Sequence, residues 1–429
     1  MLRLYDSARQ RLEPFRPRAG AAVGLYVCGI TPYDTTHLGH AFTYHTFDIL
    51  RRHCEVVHGW RVRYVQNLTD IDDDVLRKAA ATGEDWRALG LRWTAIFRTD
   101  LGALGLRPPD AYPGATSAIP AILDDVARLV AAGRAYARGG SVYYRVADDP
   151  SFGAIAHLAP EAMLPLANER GNDPLDPHKD DPLDFVLWQA GRPGEPAWRS
   201  PWGLGRPGWH IECSTLASRH LGLPIDIHGG GGDLLFPHHA CETAQAEALG
   251  AAAPWVRHWM HVAMVRKDGE KMSKSLGNLV LVRDLLSGDE PDVLRLYLLS
   301  HHWRTPWEWS AEAFAACRPW CAALHAAARR PSGAGRPIDA SRYGPRATAA
   351  LDHDLDTPSA LRELLALADA ILDAPAGADV RDAQAVLEAV GQRVLGLWLR
   401  PRAEVPAEAR APWPEPVVAP PDVVLDGAG

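Results

Sequence analysis

Nowhere does this 429-residue sequence hold the roughly 18 consecutive apolar residues that a membrane span needs. Its opening residues, MLRLYDSARQ, lack the apolar core of a secretory signal. A soluble cytoplasmic protein with no membrane partner is the expectation. Cysteine is scarce and scattered, with six in all: Cys28, Cys54, Cys213, Cys241, Cys317 and Cys321. That excludes the dense disulfide framework of a small secreted domain and leaves free thiols or metal ligands. Cys317 and Cys321, on either side of Pro319, read as buried core thiols. Basic charge is not in excess either, because 45 Lys and Arg face 53 Asp and Glu for a net charge of −8. A large basic nucleic-acid surface is disfavoured, although local binding is not. No internal repeat is visible, so a solenoid is excluded.

What is present is ordinary globular composition, 47% hydrophobic and 23% charged, with material for a sizeable core. VGLYVCG (23–29) reads as a buried strand closed by glycine. A helix follows over about 38–53, with Leu38, Phe42, Phe47, Leu50 and Cys54 inward, and then RVRYVQN (61–67) as a second strand. Strand, helix, strand in this span is a βαβ unit, so the fold class is α/β with a parallel sheet. Helical stretches at about 85–104 and 115–133 precede SVYYRV (141–146). The proline-, glycine- and charge-rich region 150–208 reads as an insertion. PIDIHGGGGD (224–233) and WMHVAMV (259–265) read as further strands, with a helix opening near Pro237 between them. Residues 1–328 thus form the expected catalytic domain. Residues 329–345 read as a linker and 346–400 as a small helical domain, with Thr357 as N-cap and Pro358 at the first helical position. The proline-loaded tail 401–429 is expected to be disordered.

The chemistry concentrates in loops after strands, where open α/β sheets bind ligands. In CGITPYDTTHLGH, His37 and His40 flank Gly39 at the start of a helix. A helix N-terminus favours anions and two imidazoles can donate to a phosphate, although two polar histidines on a capped helix fit as well. In VRKDGEKMSKSLGN, Lys267, Lys271 and Lys274 stand beside Ser273 and Ser275 in a loop after an apolar run. Lysines there suit a polyphosphate whose charge grows in a transition state, yet a charge run taken alone is more often a solvated face. Cys28, Cys213, His238 and Glu242 include both zinc-favouring donor types, but their separations are long. His238 and Glu242 at i, i+4 are by themselves more often a helix-surface pair. His239 is an alternative to His238, and Cys241 lies close by. The acidic cluster DIDDD (70–74) reads as a surface turn in preference to a pocket for an amine.

HLGH (37–40) and KMSKS (271–275), in this order and each after a strand, closely resemble the paired signatures of class I aminoacyl-tRNA synthetases. The resemblance implies a Rossmann-type catalytic domain with an insertion. It also implies ATP-dependent activation of an amino-acid carboxylate, with Mg2+ accompanying ATP. His37, His40, Lys271 and Lys274 would then serve the phosphates. PGWHIEC (207–213) and GGGGDLLFPHH (229–239) resemble the cysteinyl-tRNA synthetases. That likeness implies one Zn2+ per chain on Cys28, Cys213, His238 and Glu242, the last less firmly, with L-cysteine as substrate. It also places Cys28, Gly29, Ile30, Thr31, Thr43, Asn67, Leu68, Thr69, Trp209, Gly231, Gly232, Asp233 and Val265 around cysteinyl-adenylate. NERGNDP (168–174), spanning Glu169, Arg170, Gly171, Asn172, Asp173 and Pro174, resembles the ERGGDP signature of the mycothiol-pathway ligases, with Asn172 in place of a glycine. Those ligases join cysteine to glucosaminyl-inositol and lack the anticodon-binding domain, as the short helical domain here suggests. CGITPYDTTHLGHA and SLGNLVLV fit them too, while Glu242 and DGEKMSKSLGN are shared with the synthetases. The implied function is adenylation of cysteine and its transfer to the amine of glucosaminyl-inositol by a monomer. The alternative is a cysteinyl-tRNA synthetase without its anticodon domain, for which tRNA is the partner. A catalytically dead paralogue that binds a regulatory partner stands furthest from the intact motifs.

Overall fold

The apolar run at 22–30 is buried at six of its nine positions and exposed at none, as a central parallel strand requires. In the computed structural model, which describes residues 1–251, 253–272, 277–405 and 413–420 and the backbone of 425 and 426, it is strand β1, Ala22–Ile30. Helix α1, Leu38–Val56, follows, burying Leu38, Phe42, Phe47, Leu50 and Cys54 on one face. Strand β2, Arg61–Leu68, returns parallel to β1 with Val23 opposite Val62 and Val27 opposite Gln66. Later in the chain come α2 (Asp73–Thr82), α3 (Trp209–Leu221), β3 (Ile227–Gly231), α4 (Ala240–Ala248) and β4 (Trp259–Val262).

The main sheet has the order β4–β3–β1–β2, with every pair parallel. The chain winds outward from β1 to β2 and then resumes on β1's other side at β3. The reversal between β1 and β3 makes a topological switch point, and a crevice lies beyond their carboxyl ends. Cys28–Thr31 and Gly231–Asp233 stand at that crevice.

The expected insertion at 150–208 begins earlier. Strands 135–138, 141–144, 185–190, 196–200 and 203–207 build an antiparallel sheet, and 425–426 pairs with 196–197 at its edge. SVYY therefore belongs to the insertion and not to the parallel sheet. Gly139 and Gly140, at φ 61° and 81°, make the two-residue hairpin turn that commits 135–144 to antiparallel pairing.

The C-terminal helices depart from the expected separate domain. Helices 343–352, 357–372 and 381–388 bury Leu351, Leu361, Leu364 and Leu387 in one apolar core with Leu25, Phe42, Phe47 and Leu296 of the catalytic region. Arg295, fully buried, joins the two by donating to Asp48 at 3.2 Å, the Leu104 carbonyl at 3.2 Å and the Leu395 carbonyl at 2.8 Å. The expected linker 329–345 ends inside a helix that starts at Tyr343, and Gly333 N–H donates to the Ala378 carbonyl at 2.8 Å. The cap is Asp356 and not Thr357. Its carboxylate accepts the Ser359 N–H at 3.0 Å, which shifts Pro358 to the second helical position.

The tail is likewise not disordered where it is described. Trp413 is 1% exposed, sits edge-on to Phe97 at 5.7 Å and donates its indole N–H to the Leu106 carbonyl at 3.0 Å. Val417 N–H donates to the Tyr112 carbonyl at 3.0 Å. One large aromatic with a satisfied polar handle outweighs the proline content around it. Cys317 and Cys321 are buried as expected. No described helix is long and apolar enough to cross a membrane.

Candidate active site

Two motifs far apart in sequence meet at the N-terminus of α1. His37 caps the helix, and its Nδ1 accepts the Gly39 N–H at 3.1 Å. His40 Nδ1 accepts the His37 N–H at 3.5 Å, and the two rings stack at 3.8 Å. The segment after the lysine loop is tied to the same helix end. Leu38 N–H donates to the Val280 carbonyl at 2.8 Å, and Val282 N–H to the Thr36 carbonyl at 3.1 Å. Lys271 reaches the crevice from this loop, with Nζ 2.9 Å from Asp233 Oδ2. Ser273, Lys274 and Ser275 lie outside the described residues.

The crevice floor is backbone and small side chains. Asn67 Oδ1 accepts the Gly29 N–H at 2.8 Å, and its Nδ2 donates to Thr69 Oγ1 at 3.2 Å. A Cβ on Gly29 would stand 1.6 Å from the Asn67 carbonyl oxygen, and one on Gly229 would stand 2.2 Å from the Phe47 ring. Only glycine lets β1 approach β2, and β3 approach α1, so closely. Ile30, Leu68, Thr69 and Val265 are buried beneath this floor. Thr31 and Trp209 line its rim, Thr43 lies half-buried in α1, and Gly231–Asp233 close the end of β3.

Under the β1 and β3 termini, Cys28, Cys213, His238 and Glu242 converge. They are at most 5% exposed, and their donor atoms all lie within 4.8 Å of one another. Cys28 Sγ is 3.9 Å from Cys213 Sγ and 3.6 Å from Glu242 Oε1, and His238 Nε2 is 3.1 Å from Glu242 Oε1. Two thiolates bound tetrahedrally at about 2.3 Å stand about 3.8 Å apart, so the spacing suits zinc. Burial pushes the Cys28 thiol and the Glu242 carboxyl up and the His238 and His239 imidazoles down. Each group is thus driven to its neutral form, a tension that a divalent cation relieves. A second grouping, Cys28, His228, His239 and Glu242, is equally compact. In it His239 takes the place left open for it, and Cys241 belongs to neither set.

A shell of imidazoles that the sequence reading passed over holds these groups. His228 Nε2 is 2.9 Å from Glu242 Oε2, His210 Nδ1 is 2.8 Å from His238 Nδ1, and His239 Nδ1 is 2.7 Å from His261 Nε2. Trp209 stacks on His238 at 4.2 Å. His228 and His261 are lone histidines in strands and His210 opens a helix; none carries a spacing signal, so only the fold shows them.

The 169–174 motif closes the far side. Gly171 has φ 92°. Asn172 Nδ2 donates to Asn168 Oδ1 at 2.7 Å and to the Pro182 carbonyl at 3.0 Å, and its Oδ1 accepts from Lys179 at 2.5 Å. The asparagine thus ties the insertion loop together, a task a glycine has no side chain to perform. Arg170 stands 3.5 Å from Asp233 Oδ2, the oxygen that Lys271 also approaches. Burial pushes the Asp233 carboxyl up, but Lys271 and then Arg170 outweigh it and hold it below its usual range. The surface reading of residues 70–74 holds for Asp73, which is exposed, and is corrected for the rest. Asp70 is buried, accepting both the N–H and the hydroxyl of Thr116, and Asp72, Asp73 and Asp74 line a cavity beside Trp209. Their placement at the end of β2, against the insertion, brings them there.

The family described as tRNA synthetases class I (C) catalytic domain matches residues 14–318. A protein of Thermomonospora curvata named L-cysteine:1D-myo-inositol 2-amino-2-deoxy-alpha-D-glucopyranoside ligase is 46% identical, covering 93% of this chain and 94% of its own. The protein of the same name from Thermobifida fusca is 48% identical, covering 93% and 95%. Among solved structures, Mycobacterium tuberculosis methionyl-tRNA synthetase in complex with methionyl-adenylate is similar at TM-score 0.61 and 18% identity, covering 87% of this chain and 90% of that one. Thermus thermophilus arginyl-tRNA synthetase is similar at TM-score 0.55 and 15% identity, covering 91% and 84%. These two likenesses concern the fold, an α/β Rossmann-type catalytic domain.

Proposed function

Because this chain belongs to the class I (C) tRNA synthetase catalytic-domain family, we propose that it adenylates L-cysteine with ATP and transfers the cysteinyl group to the amine of glucosaminyl-inositol. The observation that carries cysteine as substrate is the buried cluster of Cys28, Cys213, His238 and Glu242 under the crevice. The acceptor follows the two ligases, which share nearly half their residues with this chain over almost the full length of both.

In the first step a carboxylate oxygen of cysteine attacks the α-phosphorus of ATP. The bond to the bridging oxygen breaks, and pyrophosphate leaves with the electron pair. His37 and His40, at the positive end of α1, face the phosphates. Lys271 and Lys274 complement charge that grows on the leaving group, and Mg2+ accompanies ATP. Cys28, Cys213 and His238, with Glu242, would hold Zn2+. Bound zinc supplies a soft coordination position that takes a thiolate in preference to a hydroxyl. That matters because a pocket separating near-isosteres by shape alone discriminates only about 10²-fold. Trp209, stacked on His238, fixes the imidazole and walls the substrate side chain from water.

In the second step the amine nitrogen attacks the carbonyl carbon of cysteinyl-AMP. The C–N bond forms, the C–O bond to AMP breaks, and AMP leaves with the electron pair. The acceptor's ammonium gives up one proton before attack and another as the amide forms. Holding the amine beside the carbonyl accounts for much of the rate, as intramolecular reactions do.

The two acceptor readings share the first step, so the test is the second. Enzyme carrying preformed cysteinyl-AMP is mixed with glucosaminyl-inositol or with total tRNA. Release of AMP with amide formation from the sugar, and little cysteinyl-tRNA, is expected. Efficient tRNA charging with no sugar product would make this chain a cysteinyl-tRNA synthetase.

A further inference from the structure

A cavity of about 700 Å³ opens beside Thr31 and Trp209, at the edge of the adenylate crevice. One wall is the start of α2, and the other is the 169–173 segment with Gln189 of the insertion sheet. Thr31, just after β1, and Trp209, which opens α3, line it at the carboxyl end of the central sheet. An occupant therefore lies beside the activated carboxyl group.

The lining mixes carboxylates with Arg170, Lys179 and Arg206 and adds Gln189 and Trp209. Such walls both accept and donate, which suits a neutral polyol whose hydroxyls do the same. A phosphodiester chain would meet the carboxylates as like charges.

The carboxylates of the α2 wall are not equivalent. Asp73 pairs with Arg206, and Asp74 pairs with Arg77 at 2.8 Å. Asp72 makes no ion pair among the described residues. Its Oδ1 caps α2 by accepting the Asp74 N–H at 2.7 Å. Burial pushes its carboxyl up to about 6. A half-buried carboxylate on a cavity wall, with no cation paired to it, leaves a place that a donor-bearing, positively charged group satisfies.

We propose that this cavity is the acceptor subsite, where Asp72 receives the amino group of an aminated polyol and Gln189 and Lys179 bind its hydroxyls. The inference rests on the ligase reading above and gives that reading its second substrate site.

Asp72→Asn tests it, because asparagine still caps a helix but loses the charge. The KM for glucosaminyl-inositol is expected to rise about tenfold or more, where tenfold is about 1.4 kcal/mol. Cysteine-dependent pyrophosphate exchange, which reads the first step alone, is expected to stay within about twofold. Gln189→Leu, on the opposite wall, is expected to raise the same KM and decides the matter if Asp72→Asn folds poorly. Wild-type KM for the sugar in both variants would overturn the cavity assignment while leaving the ligase reading intact. A wild-type chain that makes no amide from glucosaminyl-inositol and charges tRNA would instead remove the ligase reading, and this inference with it.

Discussion

Replacing Lys271 by alanine separates what its ammonium does in the resting protein from what it does in the reaction. At rest its Nζ lies 2.9 Å from Asp233 Oδ2, with the two side chains 43% and 26% exposed. Ion pairs of that exposure are worth about 0–1 kcal/mol. Asp233 keeps Arg170 at 3.5 Å, so deletion of Lys271 does not leave the carboxylate alone. The fold is therefore expected to lose less than about 1 kcal/mol, and the thermal midpoint to move by no more than about 2–4 °C. In adenylation the same ammonium faces charge that develops on departing pyrophosphate. Removing one such preorganised donor costs about 10²–10³ in kcat, or about 2.7–4 kcal/mol. The expected result of cysteine-dependent pyrophosphate exchange is thus a kcat lowered at least a hundredfold, with the KM for cysteine little changed. Asp233→Asn, measured alongside, reports how much the resting ion pair restrains the lysine. A fall of less than about fivefold, or an effect confined to the KM for cysteine, would refute the assignment of Lys271 to the leaving group.

Three further outcomes are expected. Purified protein should carry about one zinc per chain, and Cys213→Ser should lose metal and exchange activity together; full exchange by metal-free protein would end the metal reading. Gly29→Ala forces a Cβ to within 1.6 Å of the Asn67 carbonyl, so it should lower both thermal stability and exchange, and an enzyme with wild-type midpoint and rate would contradict the packing described. Burial lowers the His53 pKa to about 4, so between about pH 6.5 and 4 the unfolded chain binds a proton that the folded chain does not. Stability should fall as pH drops through that window, and His53→Gln should reduce the slope of unfolding free energy by one proton's worth, as urea titrations at several pH values would show.

The βαβ start and the strand ends that bear the motifs were legible because their signals are local. An unbroken apolar run ended by glycine is a buried strand whatever surrounds it, and the periodicity of 38–54 requires one apolar face. The converging thiols were legible only through family likeness, since no spacing rule links Cys28 to Cys213. The start of the insertion at Ala135 was missed because SVYY is as apolar as a parallel strand, and its partners lie some forty residues on, at 185–188. The tail was misread because composition averages over positions, whereas one buried indole decides whether residues 413–420 are held. Asp72 to Asp74 resembled a surface turn because acidic runs usually are one. Asp72 and Asp74 are half-buried and Asp73 stays exposed, on a cavity wall shared with the insertion. His228 was silent for a related reason: on a strand, an imidazole aimed at a glutamate fourteen residues later looks like any other polar interruption.

Assembly of the site has a consequence for the order of folding. Cys28 and Cys213 are 185 residues apart in the chain, yet their sulfurs are 3.9 Å apart. No hairpin, helix or βαβ unit forming alone brings them together, and the insertion sheet lies within the loop that must close. Contacts of such separation carry their entropic cost before any reward, and they slow folding accordingly. Helices and the β1–β2 pair can form early, whereas the ligand cluster exists only after β3 has docked against β1. Metal uptake thus reports completion of the parallel sheet. A chain stalled before that step exposes two thiols and several imidazoles to any other metal or oxidant it meets.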